Sequence, residues 1–138
     1  MTYLLDTNIV SYILRRNATV GRKLRDANRS GQEVFISCIT YYEVKRGLLY
    51  ANAMRQLAEF NQFSQKYEVL FLDDIEILER ACEIHVDLQR RGLTIQEQDI
   101  LIAATAITRG LILVSNDSDL LRVRVQGINL ENWARTEP

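Results

Sequence analysis

Tyr3-Leu4-Leu5-Asp6-Thr7-Asn8 near the start of the chain and Leu111-Ile112-Leu113-Val114-Ser115-Asn116-Asp117 near its end share one pattern. Each is a short apolar run that gives way to an acid among small polar residues. Runs of this length without alternation read as strands buried on both faces. A helical pattern follows each, from Thr7 to about Arg16 and around Ser118–Leu121.

The chain between them repeats the alternation. Val34-Phe35-Ile36, Val69-Leu70-Phe71 and Ile128-Asn129-Leu130 read as further strands. Helices are expected over Val20–Asn28, Thr40–Tyr50, Ala53–Gln65, Ile75–Arg90 and Glu97–Arg109, the last closed by Gly110. Strands spaced by helices imply right-handed crossovers. The expected fold is therefore α/β, a central mostly parallel sheet of four to five strands with helices on both faces.

Length and composition bound the rest. The 138 residues carry 17 Lys+Arg and 18 Asp+Glu, a formal net charge of −1, and are 47% hydrophobic. That fits one domain over residues 1–138, able to bury roughly two-thirds of its unfolded surface without disulfides or structural metal. No apolar run approaches the ~18 residues of a membrane span, and no secretory signal pattern opens the chain. Cys38 and Cys82 have no metal-type spacing and read as two buried thiols in a reducing compartment, the cytoplasm. His85 is the only histidine, which argues against zinc or Ser-His-Asp chemistry. No glycine-rich phosphate loop is present.

Four acids carry the chemistry. Asp6 and Asp117 lie at the carboxyl ends of two expected strands, where open parallel sheets bind ligands. Asp99 shares a helical stripe with Ile102, Ala103 and Ala106, a small apolar face directed at the core. Glu43 lies early in its helix, with Gly47 on the same face suited to a close backbone approach. If these helices start at one sheet edge, all four carboxylates converge. Each acid also has a local use. Asp6 suits an N-cap, as do Asp117 and Asp119 in their turn. Thr40-x-x-Glu43 matches a capping box, and so does Thr94-x-x-Glu97, which leaves Asp99 without a capping task.

Clustered carboxylates raise one another's pKa, and a hard cation relieves that repulsion. An all-oxygen donor set favours Mg²⁺ or Mn²⁺ over zinc. Such ions serve in-line phosphoryl displacement without a protein nucleophile.

These residues fall into motifs that resemble the PIN domain, and more closely the VapC toxins of bacterial type II toxin–antitoxin pairs. The carrying segments are Leu4-Leu5-Asp6-Thr7-Asn8-Ile9, Ile39-Thr40-Tyr41-Tyr42-Glu43, Gln98-Asp99-Ile100-Leu101-Ile102-Ala103-Ala104 and Val114-Ser115-Asn116-Asp117-Ser118-Asp119-Leu120. Leu130-Glu131-Asn132-Trp133 looks like the close of such a domain. The resemblance implies a metal-dependent endoribonuclease, a homodimer neutralised by a cognate VapB-type antitoxin. It implies Asp6, Glu43, Asp99 and Asp117 as catalytic, metal-holding acids, with Thr7, Asn8 and Ser115 as polar neighbours. Asp119 replaces or assists Asp117 in some versions of the last motif. Ser115 and Leu120 stand where the family often has Thr and Phe.

Charge is polarised along the chain. Arg15, Arg16, Arg22, Lys23, Arg25 and Arg29 face only Asp26 in their segment. Glu68, Asp73, Asp74, Glu76, Glu79, Glu83 and Asp87 face only Arg80. The basic block, with Lys45 and Arg46, reads either as a solvated surface or as an RNA-phosphate track. Tyr12, Tyr41 and Tyr42 suit base stacking or, more commonly, packing.

Three rival readings are disfavoured. A magnesium-dependent phosphatase would need Asp-x-Asp where the chain has Asp6-Thr7-Asn8. A receiver-like phosphotransfer domain would need a late-strand lysine, but Lys23, Lys45 and Lys66 are all elsewhere. A catalytically silent partner-binding scaffold would keep the fold and lack turnover.

Overall fold

A computed structural model describes residues 1–135. Five strands form one sheet: β1 (Thr2–Leu5), β2 (Glu33–Ser37), β3 (Glu68–Leu70), β4 (Ile112–Val114) and β5 (Asn129–Glu131). Their order is β3-β2-β1-β4-β5, and every pairing is parallel. The chain builds outward from β1 through β2 to β3, then returns to the other side of β1 for β4 and β5. The order therefore reverses between β1 and β4. A crevice opens outside the carboxyl ends of strands at such a point.

The helices are α1 (Thr7–Leu14), α2 (Ala18–Arg29), α3 (Cys38–Tyr50), α4 (Met54–Lys66), α5 (Ile75–Arg90), α6 (Glu97–Arg109) and α7 (Ser118–Val123). Alternate residues of β1 divide the core. Tyr3 and Leu5 pack with Ile9, Val10, Val20, Leu24, Phe60 and Phe63 under α1–α4. Leu4 faces the other way, onto Ile77, Ile84, Leu88, Ile102 and Ala103 of α5 and α6. Leu4 and Leu5 have no exposed surface, and burying each contributes about 1.5–3 kcal/mol. Trp133, 2% exposed, closes the first face by standing edge-on to Tyr3, ring centres 5.2 Å apart.

Most expected elements appear within two residues of their predicted ends. The differences are informative. Helix α3 starts at Cys38, not Thr40. Ser37, the last residue of β2, accepts from the Ile39 N–H at 3.0 Å and is its cap. Thr40 is fully buried inside the helix, so Thr40-x-x-Glu43 is not a capping box. Helix α6 has Gln96 at its N-cap with no side-chain cap bond, so Thr94-x-x-Glu97 is not one either. A Cβ at Gly47 would meet nothing within 4 Å, and no backbone approaches there. Cys38 is half-buried and Cys82 exposed, rather than both buried. The buried stripe of α5 is Ile77, Ala81, Ile84 and Leu88, and Cys82 lies one step off it. Among the described residues, no helix is long and apolar enough to cross a membrane.

Candidate metal centre

Asp6 follows β1 directly and caps α1. Its Oδ1 accepts from the Thr7 N–H at 2.8 Å. Its Oδ2 accepts from the Ser115 hydroxyl at 2.7 Å. Asp6 is 3% exposed, a depth at which a carboxylate needs compensation. Burial pushes its pKa up, as do the charges of Asp117 and Glu43; the Ser115 and Thr7 bonds pull it down. A carboxylate has about four lone-pair sites. Two are taken here, so Asp6 can cap its helix and still ligate.

Asp117 works the same way. Its Oδ1 accepts from the Asp119 N–H at 2.8 Å and caps α7. Its own N–H donates to the Ser115 Oγ at 3.0 Å. The register places Leu5 beside Val114, and the Asp6 N–H donates to the Val114 carbonyl at 2.9 Å. Neighbouring strands thus deliver Asp6 and Asp117 to one crevice.

Asp99 arrives from the first turn of α6. Ile102, Ala103 and Ala106 on its stripe are fully buried, as the sequence pattern requires. One carboxylate oxygen from each of Asp6, Asp99 and Asp117 lies within 4.8 Å of the others. Burial is the main reason the Asp99 carboxyl is pushed up to about 7, followed by the charges of Asp6, Asp117 and Glu43, and a hydrogen bond with Asp117. Metal-free, Asp99 is therefore partly protonated near neutral pH.

Glu43 lies outside this trio but acts on it electrostatically. Its Oε1 accepts from the Thr7 hydroxyl at 2.9 Å. The same hydroxyl is 3.2 Å from Thr40 Oγ1. Asn8 accepts from the Asn116 N–H at 3.1 Å through its Oδ1, tying α1 to the turn after β4. Asp119 is exposed and sits 3.6 Å from Arg122, outside the trio.

The oxygen-only donors fit a small hard cation. Two ligands of one Mg²⁺ stand at most about 4 Å apart, so the trio needs to close by less than about an ångström. No cysteine or histidine joins the trio.

The basic residues disperse. Arg15 lines a cleft of about 320 Å³ with Thr7, Glu43, Gly47 and Gln56. Arg16 is paired with Glu59 at 3.0 Å, which Arg55 also holds. Arg22 and Lys23 lie on α2. Lys45 reaches the Tyr41 hydroxyl at 3.0 Å, and Arg46 covers the Tyr42 ring at 5.0 Å. Tyr41 packs on Phe60, while Tyr42 is exposed. Sequence reasoning quoted Asn116 and Asn132 in motifs and read Tyr12 as a stacking or packing residue, and it missed the bonds that join the three. The Asn116 amide donates to the Tyr12 hydroxyl at 3.0 Å, and Asn132 donates to Asn116 at 2.8 Å. No local signal marks such long-range pairs, although Asn116 stands beside two flagged residues.

A five-stranded parallel sheet with acids gathered at its switch point is the arrangement of PIN domains, and residues 3–126 match that family. The chain belongs to the PIN domain family. Similarity over nearly the whole chain places it with the VapC ribonucleases. Ribonuclease VapC2 of Haemophilus influenzae is 32% identical over 96% of this chain and 98% of its own length. The tRNA(fMet)-specific endonuclease VapC of Salmonella typhimurium is 30% identical with the same coverage of each chain. The crystal structure of VapBC2 from Rickettsia felis, bound to a DNA fragment from their promoter, matches with a TM-score of 0.86 at 25% identity. That match covers 96% of this chain and 99% of the other.

Proposed function

We propose that this protein is a Mg²⁺- or Mn²⁺-dependent endoribonuclease and the toxin of a type II toxin–antitoxin pair. The observation that carries the reading is the trio of carboxylates from β1, α6 and the turn after β4, within 4.8 Å of one another in a PIN fold. An ion held by Asp6, Asp99 and Asp117 would supply Lewis acidity and activate water for in-line hydrolysis of a phosphodiester to 5′-phosphate and 3′-hydroxyl ends.

The chain's residues divide the remaining work. Asp6, Asp99 and Asp117 hold the ion. Glu43, anchored by Thr7, extends the negative field over the crevice and completes the family's four acids. Ser115 keeps both Asp6 and Asp117 in place. Asn8 fixes the turn that carries Asp117. Asp119, turned to Arg122, serves the α7 surface rather than the ion. The partners are RNA, a VapB-type antitoxin and a second copy of the chain, in the cytoplasm. The initiator tRNA in the name of the Salmonella relative is the first substrate to try.

Cleavage of a panel of cellular RNAs tests the reading, with and without EDTA, using wild type and Asp6→Asn. The expected result is cleavage abolished by either change. EDTA-resistant cutting, or full activity in the variant, overturns it.

A further inference from the structure

Two clefts share residues with the metal centre and its neighbours. One, described above, contains Arg15 and Glu43. The other, about 250 Å³, lies between the turn after β4, helix α7 and the chain beyond β5. It begins at Ser115 and Asp117 of the metal centre and continues to Asn132 and Arg135. Leu121 and Leu130 form its apolar part.

Three features distinguish this cleft from an ordinary surface dent. First, it joins the metal centre to a cation. Asp117 is one of its lining residues, and a cation held there would attract phosphate. Arg135 is the one cation among its lining residues, and the second acid of the lining, Glu131, is engaged by the Trp133 indole N–H at 2.8 Å. An apolar floor lies in the same cleft. A nucleic-acid strand repeats phosphate, apolar base face and phosphate in that way. Second, Leu121 is 57% exposed, although it sits in a helix whose Leu120 and Val123 are buried. Exposed apolar side chains beside a polar site mark binding surfaces when they share a concavity. Third, the rim is built rigidly. Asn116 is held by Tyr12 at 3.0 Å and by Asn132 at 2.8 Å, and its N–H is held by Asn8 at 3.1 Å. Asn132 also caps its own turn by accepting from the Ala134 N–H at 2.9 Å. Bonds between α1, the turn after β4 and the chain beyond β5 thus pre-form the cleft, which lowers the cost of ordering on binding.

The volume limits the occupant. Sites for drug-sized ligands run to roughly 300–1,000 Å³. This cleft takes one nucleotide, not a helical stem.

Resting on the ribonuclease reading above, we infer that this cleft is a nucleotide subsite, holding one unpaired residue of the RNA beside the scissile phosphate. Leu121 and Leu130 lie against the base, Arg135 pairs with the next phosphate, and Asn132 fixes the rim. Sequence-specific RNA recognition generally uses such splayed single-stranded bases. The subsite therefore contributes to the choice of cut site as well as to affinity.

The probe is a fluorescently labelled 2′-O-methyl oligonucleotide of the cleaved sequence, or of mixed sequence if none is cleaved. Its affinity for the full chain is measured with Ca²⁺ by anisotropy. Leu121→Asp and Arg135→Ala are compared with wild type and with the exposed control Arg90→Ala. The expected result is affinity about tenfold weaker in each cleft variant and unchanged in the control. Mg²⁺ affinity, measured by calorimetry, stays at the wild-type value in Arg135→Ala. Where RNA is cleaved, sequencing of the new 5′ ends should show altered base preference at one position in Leu121→Asp. Wild-type affinity in both variants overturns the inference, as does failure of wild type to bind the probe. Loss of binding to a partner protein in these variants, with RNA affinity intact, also overturns it. Binding through the cleft without cleavage by wild type would overturn only the ribonuclease reading.

Discussion

The Ser115 hydroxyl donates to Asp6 at 2.7 Å across 109 residues of chain, and accepts from the Asp117 N–H at 3.0 Å. One buried side chain thus joins two of the three clustered acids. The bond favours the ionised form of Asp6 and partly offsets the burial that pushes its pKa up. Ser115→Ala leaves that oxygen with one partner fewer at a buried site. A loss of about 1–2 kcal/mol in stability is expected in metal-free protein by urea denaturation, with weaker Mg²⁺ binding by calorimetry. Ser115→Thr, which keeps the hydroxyl, should recover most of the metal affinity. Equal losses in both variants would assign Ser115 a packing role.

Asp99 makes the opposite prediction for stability. Its carboxyl is pushed up to about 7 from an ordinary 3.8. Between those values the folded chain holds a proton that the unfolded chain has released. This group's stabilisation is therefore complete below about pH 4 and is lost as pH rises through about 7. Above that, a charge is confined among like charges. Asp99→Asn should stabilise metal-free protein at pH 8 by about 1–2 kcal/mol, a figure discounted for the solvent that reaches this half-buried group. The same variant should lose the stabilisation that Mg²⁺ gives to wild type. Thermal melts at pH 5 and pH 8, with and without Mg²⁺, check both halves. A large loss of metal-free stability would mean that Asp99 is structural.

The same protonation governs activity. A cation must displace the proton that Asp99 holds, so its binding weakens as pH falls through about 7. The apparent Mg²⁺ requirement for cleavage should rise several-fold between pH 8 and pH 6. Saturating Mg²⁺ should recover much of the rate. A requirement that is flat across this range would contradict proton–metal competition.

The sequence carried most of this site because its signals are periodic. Strand-length apolar runs placed Asp6 and Asp117 at strand ends, and the Ile102-Ala103-Ala106 stripe turned Asp99 inward. What it did not carry depends on contacts between distant segments. Thr40 and Glu43 have capping-box spacing, yet Ser37 caps the helix three residues earlier. Glu43 is anchored instead by Thr7, a residue of another helix. Spacing along one helix cannot report a partner that only tertiary packing supplies. Cys82 is different, because the signal was present. The Ile77-Ala81-Ile84-Leu88 stripe already leaves it outside the core.

Glu43 and Thr7 test whether the fourth acid acts by charge or by position. Glu43→Gln retains an oxygen to accept from Thr7 and removes the charge. It should keep the fold and lower the cleavage rate by about tenfold or more, with Mg²⁺ affinity weakened less than in Asp6→Asn. Thr7→Val removes the hydroxyl and keeps the charge. A smaller rate loss is expected there, since Glu43 remains charged but is released from its anchor. If Glu43→Gln keeps wild-type activity while Thr7→Val loses it, Glu43 acts through its position alone.

Arg15 and Arg16 are adjacent in sequence, and their surroundings set them apart. Arg16 is neutralised by Glu59, itself shared with Arg55. Arg15 stacks on the Tyr12 ring at 5.0 Å and lines the cleft that contains Glu43. An arginine already satisfied by a carboxylate gains little by moving to a phosphate, whereas Arg15, held over a ring with its Nε donating to the Ser11 carbonyl at 3.4 Å, has no carboxylate partner among the described residues. Arg15→Ala should therefore weaken RNA binding about three- to tenfold and flatten the salt dependence by about 0.7, the increment for one phosphate contact on a single strand. Arg16→Ala should leave the slope unchanged. Anisotropy titrations across a series of KCl concentrations separate the two, because a packing defect would lower affinity without altering the slope. An equal change of slope in both variants would show the whole basic block to be a diffuse electrostatic surface with no defined track.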